Sequence, residues 1–490
     1  MSNFHALLFN LGGRKRVEGR TPGCYRIATE LRSEGWDVEV VEYFYYWTFE
    51  ELVQFSKSRI TKNTKFIGFS QIFTEWPELA ETFCQWLKAT YPDIKLIFGS
   101  SSYEKLDTKC IDYYVKGYAE HSVKKLLQYL FSNGERPTIL VNDGNKVINS
   151  EAFYMAAPYK DPVIIYEDRD FLRPTEWVGV EFSRGCKFAC KFCNFPILGV
   201  KGDYTRDADS FERQLRDAYD RFGTHRYHVT DETFNDSTEK ITKFANVVEN
   251  LNFDPFFVGF VRPDLLVSRT QDREEMLRMN FLGHFYGVES LNNATLKVIG
   301  KGMDSQRLRD GLVDLKKYFK SNGTKRYRAT LSLIAGLPYE TEQSLKENED
   351  WLLNNWVGEN LLYFPFELSE EHEINNNSFL SLNYSKYNYR RMDLDKVPSD
   401  FEKPWRTEYR RKNIVWENDY LNLPQVVDIT ETFRRNHGYL FSVGAFGLAN
   451  MMFESDLDIL FDPTKEQMKS APQKTELFIK EYINFKLSSC

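Results

Sequence analysis

Residues 186–193 read CKFACKFC and place three of the chain's seven cysteines within eight residues. The other four, Cys24, Cys84, Cys110 and Cys490, stand alone, and none belongs to a CxxC pair. Four thiolates would complete a structural zinc site or a fully ligated iron–sulfur cubane, and a disulfide would leave one cysteine over. A zinc site completed by histidine is disfavoured, because no histidine lies within 30 residues of the motif on either side.

The spacing of the three cysteines therefore favours a [4Fe-4S] cluster in which one iron has no protein ligand. A catalytic metal site needs such an open position, where a substrate or cofactor coordinates. Lys187 and Lys191 would favour an anionic cluster, and Gly185 and Ala189 allow the backbone to wrap closely around it. Zinc binding and incidental core cysteines are the alternatives.

Composition limits the class of protein and its partners. A chain of 490 residues with 42% hydrophobic residues predicts about three packed domains. The net charge of −7, without a long basic block, argues against general nucleic-acid binding. No stretch approaches the ~20 apolar residues of a membrane span, and MSNFHALLFNLGG does not read as a signal peptide. Few cysteines, odd in number, are typical of a reducing cytoplasm, where we expect the protein.

Two strand–helix alternations predict an α/β fold. Residues 1–135 read as a doubly wound parallel sheet, whose ligands would bind at the carboxyl ends of the strands. Residues 136–175 contain a hairpin about Asp143-Gly144 and then a proline-rich linker. Residues 176–370 predict a partial (β/α)6 barrel with the cysteines in the loop after its first strand. Residues 371–490 predict a mainly helical C-terminal cap that contributes to the substrate region.

The expected barrel strands are short apolar runs, with amphipathic helices between them. They are WVGVEFS (177–183), RYHVTDE (226–232), FFVGFV (256–261), HFYGVES (284–290), RATLSLIAG (328–336) and LLYFPFEL (361–368). His228, on the second of these strands, is expected in the core or against the substrate.

The CxxxCxxC spacing with an aromatic residue before the last cysteine resembles the radical S-adenosylmethionine superfamily. Further segments resemble strand-end motifs of its cobalamin-type members in the same order, and the resemblance covers about residues 175–370. They are HVTDETFN (228–235), FVRPDLL (260–266), YGVES (286–290) and IAGLPYET (334–341).

This resemblance implies an enzyme that cleaves S-adenosylmethionine reductively to methionine and a 5′-deoxyadenosyl radical, which abstracts hydrogen from the substrate. It implies an external one-electron reductant of the flavodoxin or ferredoxin type and cluster ligation by Cys186, Cys190 and Cys193. It also implies contacts to S-adenosylmethionine from Phe192, Asp231, Glu232, Arg262, Glu289, Ser290, Ile334 and Gly336. The alternative for the charged residues is a surface salt bridge, and for Ile334 a place in the barrel core.

Residues 1–131 resemble the cobalamin-binding domain that precedes the radical domain in many members of the superfamily. The segments that resemble it are IATELRSEGWDVEVVE (27–42), IGFSQIFTEW (67–76), LIFGSSS (96–102) and YVKGYAEHS (114–122). The resemblance implies possible cobalamin contacts from Gly12, Ser70, Thr74, Gly99, Ser100 and Gly117. The cobalt-ligating D-x-H-x-x-G motif is absent, so a domain that binds no corrinoid is the alternative.

The functional expectation is a cobalamin-dependent radical methyltransferase acting at an unactivated carbon. One alternative is a radical enzyme whose cobalamin-like domain is non-functional and which performs cyclisation, oxidation or epimerisation. A second is a non-catalytic binding protein that keeps the fold, against which the intact three-cysteine motif argues. The motifs do not identify the substrate.

Overall fold

The structure is a computed structural model. It describes residues 4–11, 19–71, 78–100, 109–138, 140–142, 146–149, 163–193, 204–323, 326–369, 378–398, 401, 413–438 and 451–488. The predicted cobalamin contacts Gly12 and Thr74 lie outside these residues.

A seven-stranded sheet forms the N-terminal part, in the order β2-β1-β3-β4-β5-β7-β6. The first five strands are parallel, as their alternation with helices predicts, and β7 joins β5 in parallel and β6 antiparallel. The hairpin thus extends this sheet beyond residue 135. The strands are β1 His5–Asn10, β2 Asp37–Val41, β3 Thr64–Gln71, β4 Lys95–Ser100, β5 Tyr113–Lys116, β6 Leu140–Asn142 and β7 Lys146–Asn149; the helices are α1 Pro22–Ser33, α2 Phe49–Arg59, α3 Glu78–Thr90 and α4 Glu120–Phe131.

Six parallel strands form the second sheet, in the order β8-β11-β12-β13-β14-β15. This is the predicted partial barrel. Its strands are β8 Trp177–Val180, β11 Arg226–Val229, β12 Phe256–Val261, β13 Phe281–Glu289, β14 Arg328–Ala335 and β15 Asn360–Pro365. A two-residue antiparallel pair, β9 Ser183–Arg184 and β10 Tyr204–Thr205, follows β8. The helices are α5 Ala208–Phe222, α6 Thr238–Glu249, α7 Pro263–Ser268, α8 Gln271–Arg278, α9 Asn293–Ile299, α10 Ser305–Asn322 and α11 Glu342–Asn355.

Alternation along these strands separates an outer face from a lumen face. Phe257, Tyr286 and Leu331 are buried in one cluster with helix residues such as Phe244 and Leu312, so they face the helices. Their neighbours in the strands face the lumen. Because the six strands are parallel, their carboxyl ends and the loops that follow them surround one opening of the barrel. The predicted motifs lie at these ends.

The N-terminal part joins the barrel through a backbone contact at its first strand. Arg20 forms a parallel bridge with Val178, in which the Arg20 N–H donates to the Trp177 carbonyl at 2.7 Å and the Gly179 N–H donates to the Arg20 carbonyl at 2.9 Å. A Cβ on Gly179 would lie 2.5 Å from Cδ of Pro22. The close approach of the two parts therefore requires glycine at position 179.

The C-terminal residues contact both sheets. Tyr363 of β15 packs edge-on against Phe433 at 5.8 Å, and Phe461 packs on Phe256 at the amino ends of the barrel strands. The last helix reaches back to the N-terminal sheet, where the Lys486 ammonium is 2.9 Å from the Glu39 carboxylate. The elements of this region are α12 Phe379–Leu382, α13 Leu423–Asn436, α14 Leu457–Phe461 and α15 Lys465–Ser488, with β16 Leu368–Ser369 pairing β18 Asn413–Ile414 and β17 Arg390–Arg391 pairing β19 Trp416–Glu417.

Among the described residues, no helix has the length and hydropathy needed to cross a membrane.

Gly179→Ala is expected to lower the free energy of unfolding by about 1–3 kcal/mol, because the new methyl group overlaps the rigid Pro22 ring. Chemical denaturation measures the change. Gly438→Ala is the matched control, since a Cβ there would meet nothing within 4 Å. Equal stabilities for the two variants would contradict the close approach at the junction.

Candidate active site

The loop that carries the three cysteines is fixed by backbone hydrogen bonds from two other parts of the chain. The Lys191 N–H donates to the Ile299 carbonyl at 3.0 Å, and the Leu380 N–H donates to the Lys191 carbonyl at 2.8 Å. Gly185 begins the loop with a φ of +98°, a conformation that side chains disfavour. All three cysteines lie outside disulfides and are half-buried. The loop thus presents its thiols at the opening of the barrel, after β8 as predicted.

Two of the thiols have polar neighbours on the barrel. Cys186 Sγ lies 3.3 Å from the Thr233 hydroxyl, and Nη1 of Arg262 lies 3.6 Å from Cys190 Sγ. The Arg262 guanidinium also stacks over the Phe188 ring at 3.8 Å. A fixed cation beside the cysteine loop would stabilise an anionic metal group bound there.

The three thiols of this loop are the donor type that an iron–sulfur cubane takes. Within the described residues, no group of three or more His, Cys, Asp or Glu side chains is placed to hold one metal ion. A cubane takes one thiolate on each iron, so its ligands need not converge on a point. Three cysteines on one loop, beside the Arg262 cation, match that donor set.

Arg262 was predicted to contact S-adenosylmethionine. Its guanidinium forms a two-pronged ion pair with Asp264, at 3.2 Å and 2.7 Å, which leaves Nη1 directed to the thiol. This pair raises the pKa of Arg262 against the opposing effect of burial, so the cation is retained beside the cysteine loop. The predicted contact itself stays a prediction.

Asp231 and Glu232, at the end of β11, both bind the segment that leads into the cysteine loop. Asp231 accepts three hydrogen bonds of 2.8 Å, from the N–H groups of Phe182 and Ser183 and from the Ser183 hydroxyl. Glu232 accepts from the Gly185 N–H at 3.2 Å. Burial raises the pKa of both carboxyls to about 7. In this structure both residues position the loop, and their predicted contact to S-adenosylmethionine stays untested.

A buried lysine behind the loop is not among the sequence-predicted residues. The Lys240 ammonium donates to the Ser183 hydroxyl at 2.9 Å and pairs with Asp236 at 2.5 Å. Asp236 also lies 3.6 Å from the Lys187 ammonium. Nothing in the local sequence marks Lys240, which sits in the first turn of an ordinary amphipathic helix; only the fold brings it to the loop.

Glu289 and Ser290 end β13 at the same opening. Glu289 has a φ of +69°, which is strained for a residue with a side chain, and its carboxylate lies 3.4 Å from the Lys301 ammonium. Lys301 also donates to the Gly287 carbonyl at 2.6 Å and lies 5.4 Å from the centre of the Phe192 ring. Burial raises the pKa of Glu289. Lys301 is a further cation of the site that the motifs did not reveal.

Glu340 holds the turn after β14 and was not predicted as a site residue. Its carboxylate accepts from the Ser290 hydroxyl at 2.6 Å and from the N–H groups of Gly336 and Leu337 at 2.8 Å and 3.1 Å. Burial raises its pKa to about 7. Ser290 is thereby engaged with the protein. The sequence signal that could have identified Glu340 is its place in the G-L-P-x-E segment, residues 336–340.

The two other predicted residues of β14 differ in their surroundings. Ile334 alternates with the buried Leu333 and Ala335 and lies on the lumen face. A Cβ on Gly336 would lie 2.7 Å from the Trp416 ring, and the Gly336 carbonyl accepts from the Tyr389 hydroxyl at 2.6 Å. Gly336 is therefore enclosed by C-terminal residues.

Small residues end the strands of the N-terminal sheet where a ligand was predicted. At the carboxyl ends of β3 and β4, Ser70 pairs with Gly99, and Ser100 pairs with Gln71. Gly117 follows β5 with a φ of +82°. Glu42, after β2, was not predicted; both of its carboxylate oxygens accept from the Asn10 amide at 3.1 Å, and burial raises its pKa to about 7.

The fold and the cysteine loop define a barrel enzyme joined to an N-terminal α/β domain. Residues 180–352 match the family model of the radical SAM superfamily. The match includes the cysteine loop and strands β11 to β14, so this part of the chain carries a radical SAM domain. Such a domain implies a [4Fe-4S] cluster and S-adenosylmethionine as cofactors.

Comparison with solved structures shows the same fold over the whole chain. TsrM, a radical S-adenosylmethionine methyltransferase from Kitasatospora setae solved with cobalamin and a [4Fe-4S] cluster, covers 100% of both chains with a TM-score of 0.68 and 14% identity. OxsB, a cobalamin-dependent S-adenosylmethionine radical enzyme solved with aqua-cobalamin, covers 98% of this chain and 80% of its own, with a TM-score of 0.61 and 14% identity. The predicted α/β architecture is thereby confirmed.

Sequence similarity extends to an uncharacterized methyltransferase of Pyrococcus horikoshii, which is 23% identical over 290 residues. That alignment covers 57% of this chain and 61% of the relative, so the chain spans about three fifths of that relative's length.

Glu340→Gln is expected to flatten the dependence of stability on pH. A carboxyl whose pKa rises from 4.5 to about 7 on folding binds its proton more tightly in the fold, so its contribution is full below about pH 4.5 and is lost as the pH rises through about 7. A glutamine can still accept from Gly336 and Leu337 and can donate to Ser290. Denaturation between pH 5 and pH 8 should therefore show a smaller loss of stability in the variant.

Glu342→Gln is the control for that experiment, since it removes a neighbouring carboxylate and keeps Glu340. Parallel pH curves for wild type and Glu340→Gln would show that Glu340 does not titrate on unfolding in this range.

Proposed function

We propose that this chain is a cobalamin-dependent radical methyltransferase that acts at an unactivated carbon of its substrate. Cys186, Cys190 and Cys193 would hold a [4Fe-4S] cluster, and S-adenosylmethionine would bind beside it. A cluster with S-adenosylmethionine on its open iron is a source of 5′-deoxyadenosyl radical, and a corrinoid is a carrier of methyl groups.

The residues at the opening have separate tasks in this proposal. Asp231 and Glu232 hold the start of the cysteine loop through its N–H groups, and Arg262 offers a cation to Cys190. Phe192 and Lys301 would enclose S-adenosylmethionine on the side of β13, where Lys301 is tethered to the Gly287 carbonyl. A rigid, partly dry opening keeps a reactive intermediate from water.

The observation that carries the proposal is the contact between the carboxyl edge of the N-terminal sheet and the cysteine loop. The Tyr118 hydroxyl, after β5, donates to Glu232 at 2.8 Å, and Glu232 accepts from the N–H of Gly185. Arg184 pairs with Glu120 at 2.5 Å and stacks over the Tyr118 ring at 3.9 Å. A corrinoid at that edge would lie next to the opening of the barrel.

The comparisons support the same reading. TsrM and OxsB share the fold of the whole chain and were solved with cobalamin or aqua-cobalamin, and TsrM and the Pyrococcus relative are named methyltransferases. We extend corrinoid binding and methyl transfer to this chain as proposals. We also propose an external one-electron reductant of the flavodoxin or ferredoxin type and a reducing, cytoplasmic setting.

Alanine at Cys186, Cys190 or Cys193 is expected to abolish iron retention and the formation of 5′-deoxyadenosine, because each iron–thiolate bond of a three-cysteine cluster is needed. Iron and sulfide are measured after anaerobic reconstitution, and 5′-deoxyadenosine after addition of dithionite and S-adenosylmethionine. Cys110→Ala, outside the loop, should keep both. Full iron content in any of the three loop variants would contradict the ligand assignment.

Corrinoid retention is the second test. The reconstituted protein is mixed with hydroxocobalamin and desalted, and its visible spectrum is expected to show about one corrinoid per chain, as a dedicated cofactor site requires. Gly99→Phe adds bulk at the sheet edge, where a Cβ has only ordinary contacts at 3.8 Å, and should lower retention; Gly438→Phe is the control. No corrinoid, with S-adenosylmethionine still cleaved, would favour radical chemistry without methyl transfer.

A further inference from the structure

The segment that leads into the cysteine loop, residues 181–186, is held from two sides. On the barrel side, Glu232 accepts from the Gly185 N–H at 3.2 Å, and the Thr233 hydroxyl lies 3.3 Å from Cys186 Sγ. Both partners follow β11 in the chain. The first residues of the loop therefore take their positions from the end of a neighbouring barrel strand.

On the other side, Arg184 is bound to the N-terminal domain. Its guanidinium pairs at 2.5 Å with Glu120, in the first turn of α4, and at 3.0 Å with Glu181. Arg26 of α1 pairs with the same two carboxylates, at 3.4 Å from Glu120 and 2.5 Å from Glu181. All four charged side chains are largely buried, and such a paired network is rigid. Arg184 is thereby fixed against two helices of the N-terminal domain.

Tyr118 belongs to both sides of this junction. Its hydroxyl donates to Glu232 at 2.8 Å, and its ring lies under the Arg184 guanidinium at 3.9 Å. Tyr118 directly follows Gly117, whose φ of +82° forms the turn between β5 and α4. A change in that turn would therefore move Tyr118 and, through Glu232, the N–H of Gly185.

The hydrogen bond from Tyr118 matters because its acceptor is a carboxylate partly removed from water. A hydrogen bond to a charged group contributes more than one between neutral groups, and losing it leaves charge uncompensated. The donors to Glu232 include the Tyr118 hydroxyl and the Gly185 N–H, and Cys186 comes next in the chain. Uncompensated negative charge at this place would oppose the addition of an electron to a metal group on the loop.

We propose that Tyr118 is a positioning residue for the cysteine loop, which sets the conformation and electrostatic surroundings of the loop by acting through Glu232. This rests on the proposed function and deepens it, because it makes the cluster environment depend on the domain that would hold the corrinoid. Gly117, beside Tyr118, is one of the predicted corrinoid contacts. A coupling of this kind is reciprocal, so the cluster would in turn affect ligand binding at that sheet edge.

Tyr118→Phe tests this inference, because it keeps the ring under Arg184 and removes the hydroxyl alone. The midpoint potential of the anaerobically reconstituted cluster is measured by a reductive titration followed by EPR. The variant is expected to lower the equilibrium constant for one-electron reduction by about threefold to tenfold, and tenfold corresponds to about 59 mV. Tyr129→Phe, at an exposed position of α4, is the matched control and should leave the potential unchanged. An unchanged potential in Tyr118→Phe would overturn the proposal.

A double substitution determines whether Tyr118 acts through Glu232. Glu232→Ala removes the acceptor, so adding Tyr118→Phe to that variant should change the equilibrium constant for reduction by less than about twofold. Thermal melting of each variant verifies the fold. Shifts that add in the double variant would assign the effect to another route, such as the contact with Arg184, and would overturn the role of Glu232.

Hydrogen exchange of the full chain before reconstitution separates this inference from the proposed function. Tyr118→Phe is expected to raise the exchange rate of the peptide covering residues 181–186 by about threefold or more, and Tyr129→Phe to leave it unchanged. This measurement needs no cluster, corrinoid or turnover. Unchanged exchange in a protein that cleaves S-adenosylmethionine and retains corrinoid would overturn the positioning role alone. A loop that responds to Tyr118→Phe in a protein that retains no corrinoid would overturn the proposed function alone.

Discussion

One buried ion pair ties the parts of the chain together. The side chains of Arg20 and Glu176 are fully buried and paired, and each has further partners. Arg20 donates to the Tyr25 hydroxyl at 2.7 Å, while Glu176 accepts from Arg173 at 2.8 Å and from the Tyr43 hydroxyl at 2.9 Å. A buried pair is tolerable only when its remaining donors and acceptors are satisfied in a definite geometry. The relative placement of the N-terminal sheet, the segment before the barrel and the first barrel strand is therefore specified by one network.

That placement has a direct consequence for the site. With Arg20 fixed on the edge of β8, the carboxyl ends of both sheets come together, and Tyr118 reaches Glu232. Two buried carboxyl groups then fix the conformation of segments at the opening. Asp231 holds the entry to the cysteine loop, and Glu340 holds the turn after β14. Each accepts from two backbone N–H groups that an apolar residue would leave unsatisfied, so both act as buried clamps of the opening.

The sequence predicted those parts that depend on local pattern. The run FFVGFV forms a strand over all of its residues, 256–261. A short apolar run that ends at an Arg-Pro pair is typical of a buried strand. The spacing of the three cysteines likewise predicted the loop after β8, because that motif is contiguous in the sequence. Lys240 and Lys301 escaped prediction because their partners lie on other elements. The role of Lys486 was likewise hidden, since its partner Glu39 is more than 400 residues away.

Charge is distributed unevenly along the barrel axis, with ion pairs at the rim that the carboxyl ends of the strands form. Under the proposed function, the zwitterionic methionine end of S-adenosylmethionine would meet paired charges at this rim, such as Glu289–Lys301 and Arg262–Asp264. Such pairs can exchange partners with a charged ligand while remaining compensated. Between these pairs and Arg328 at the start of β14, the paired residues that the structure describes on β13, β14 and β15 include no Asp, Glu, Lys or Arg. A charged group that moved inward from the rim would therefore lose its compensation. The boundary between the two regions therefore lies at the carboxyl ends of β12 and β13, where Phe260 is followed two residues later by Arg262, and Gly287 by Glu289.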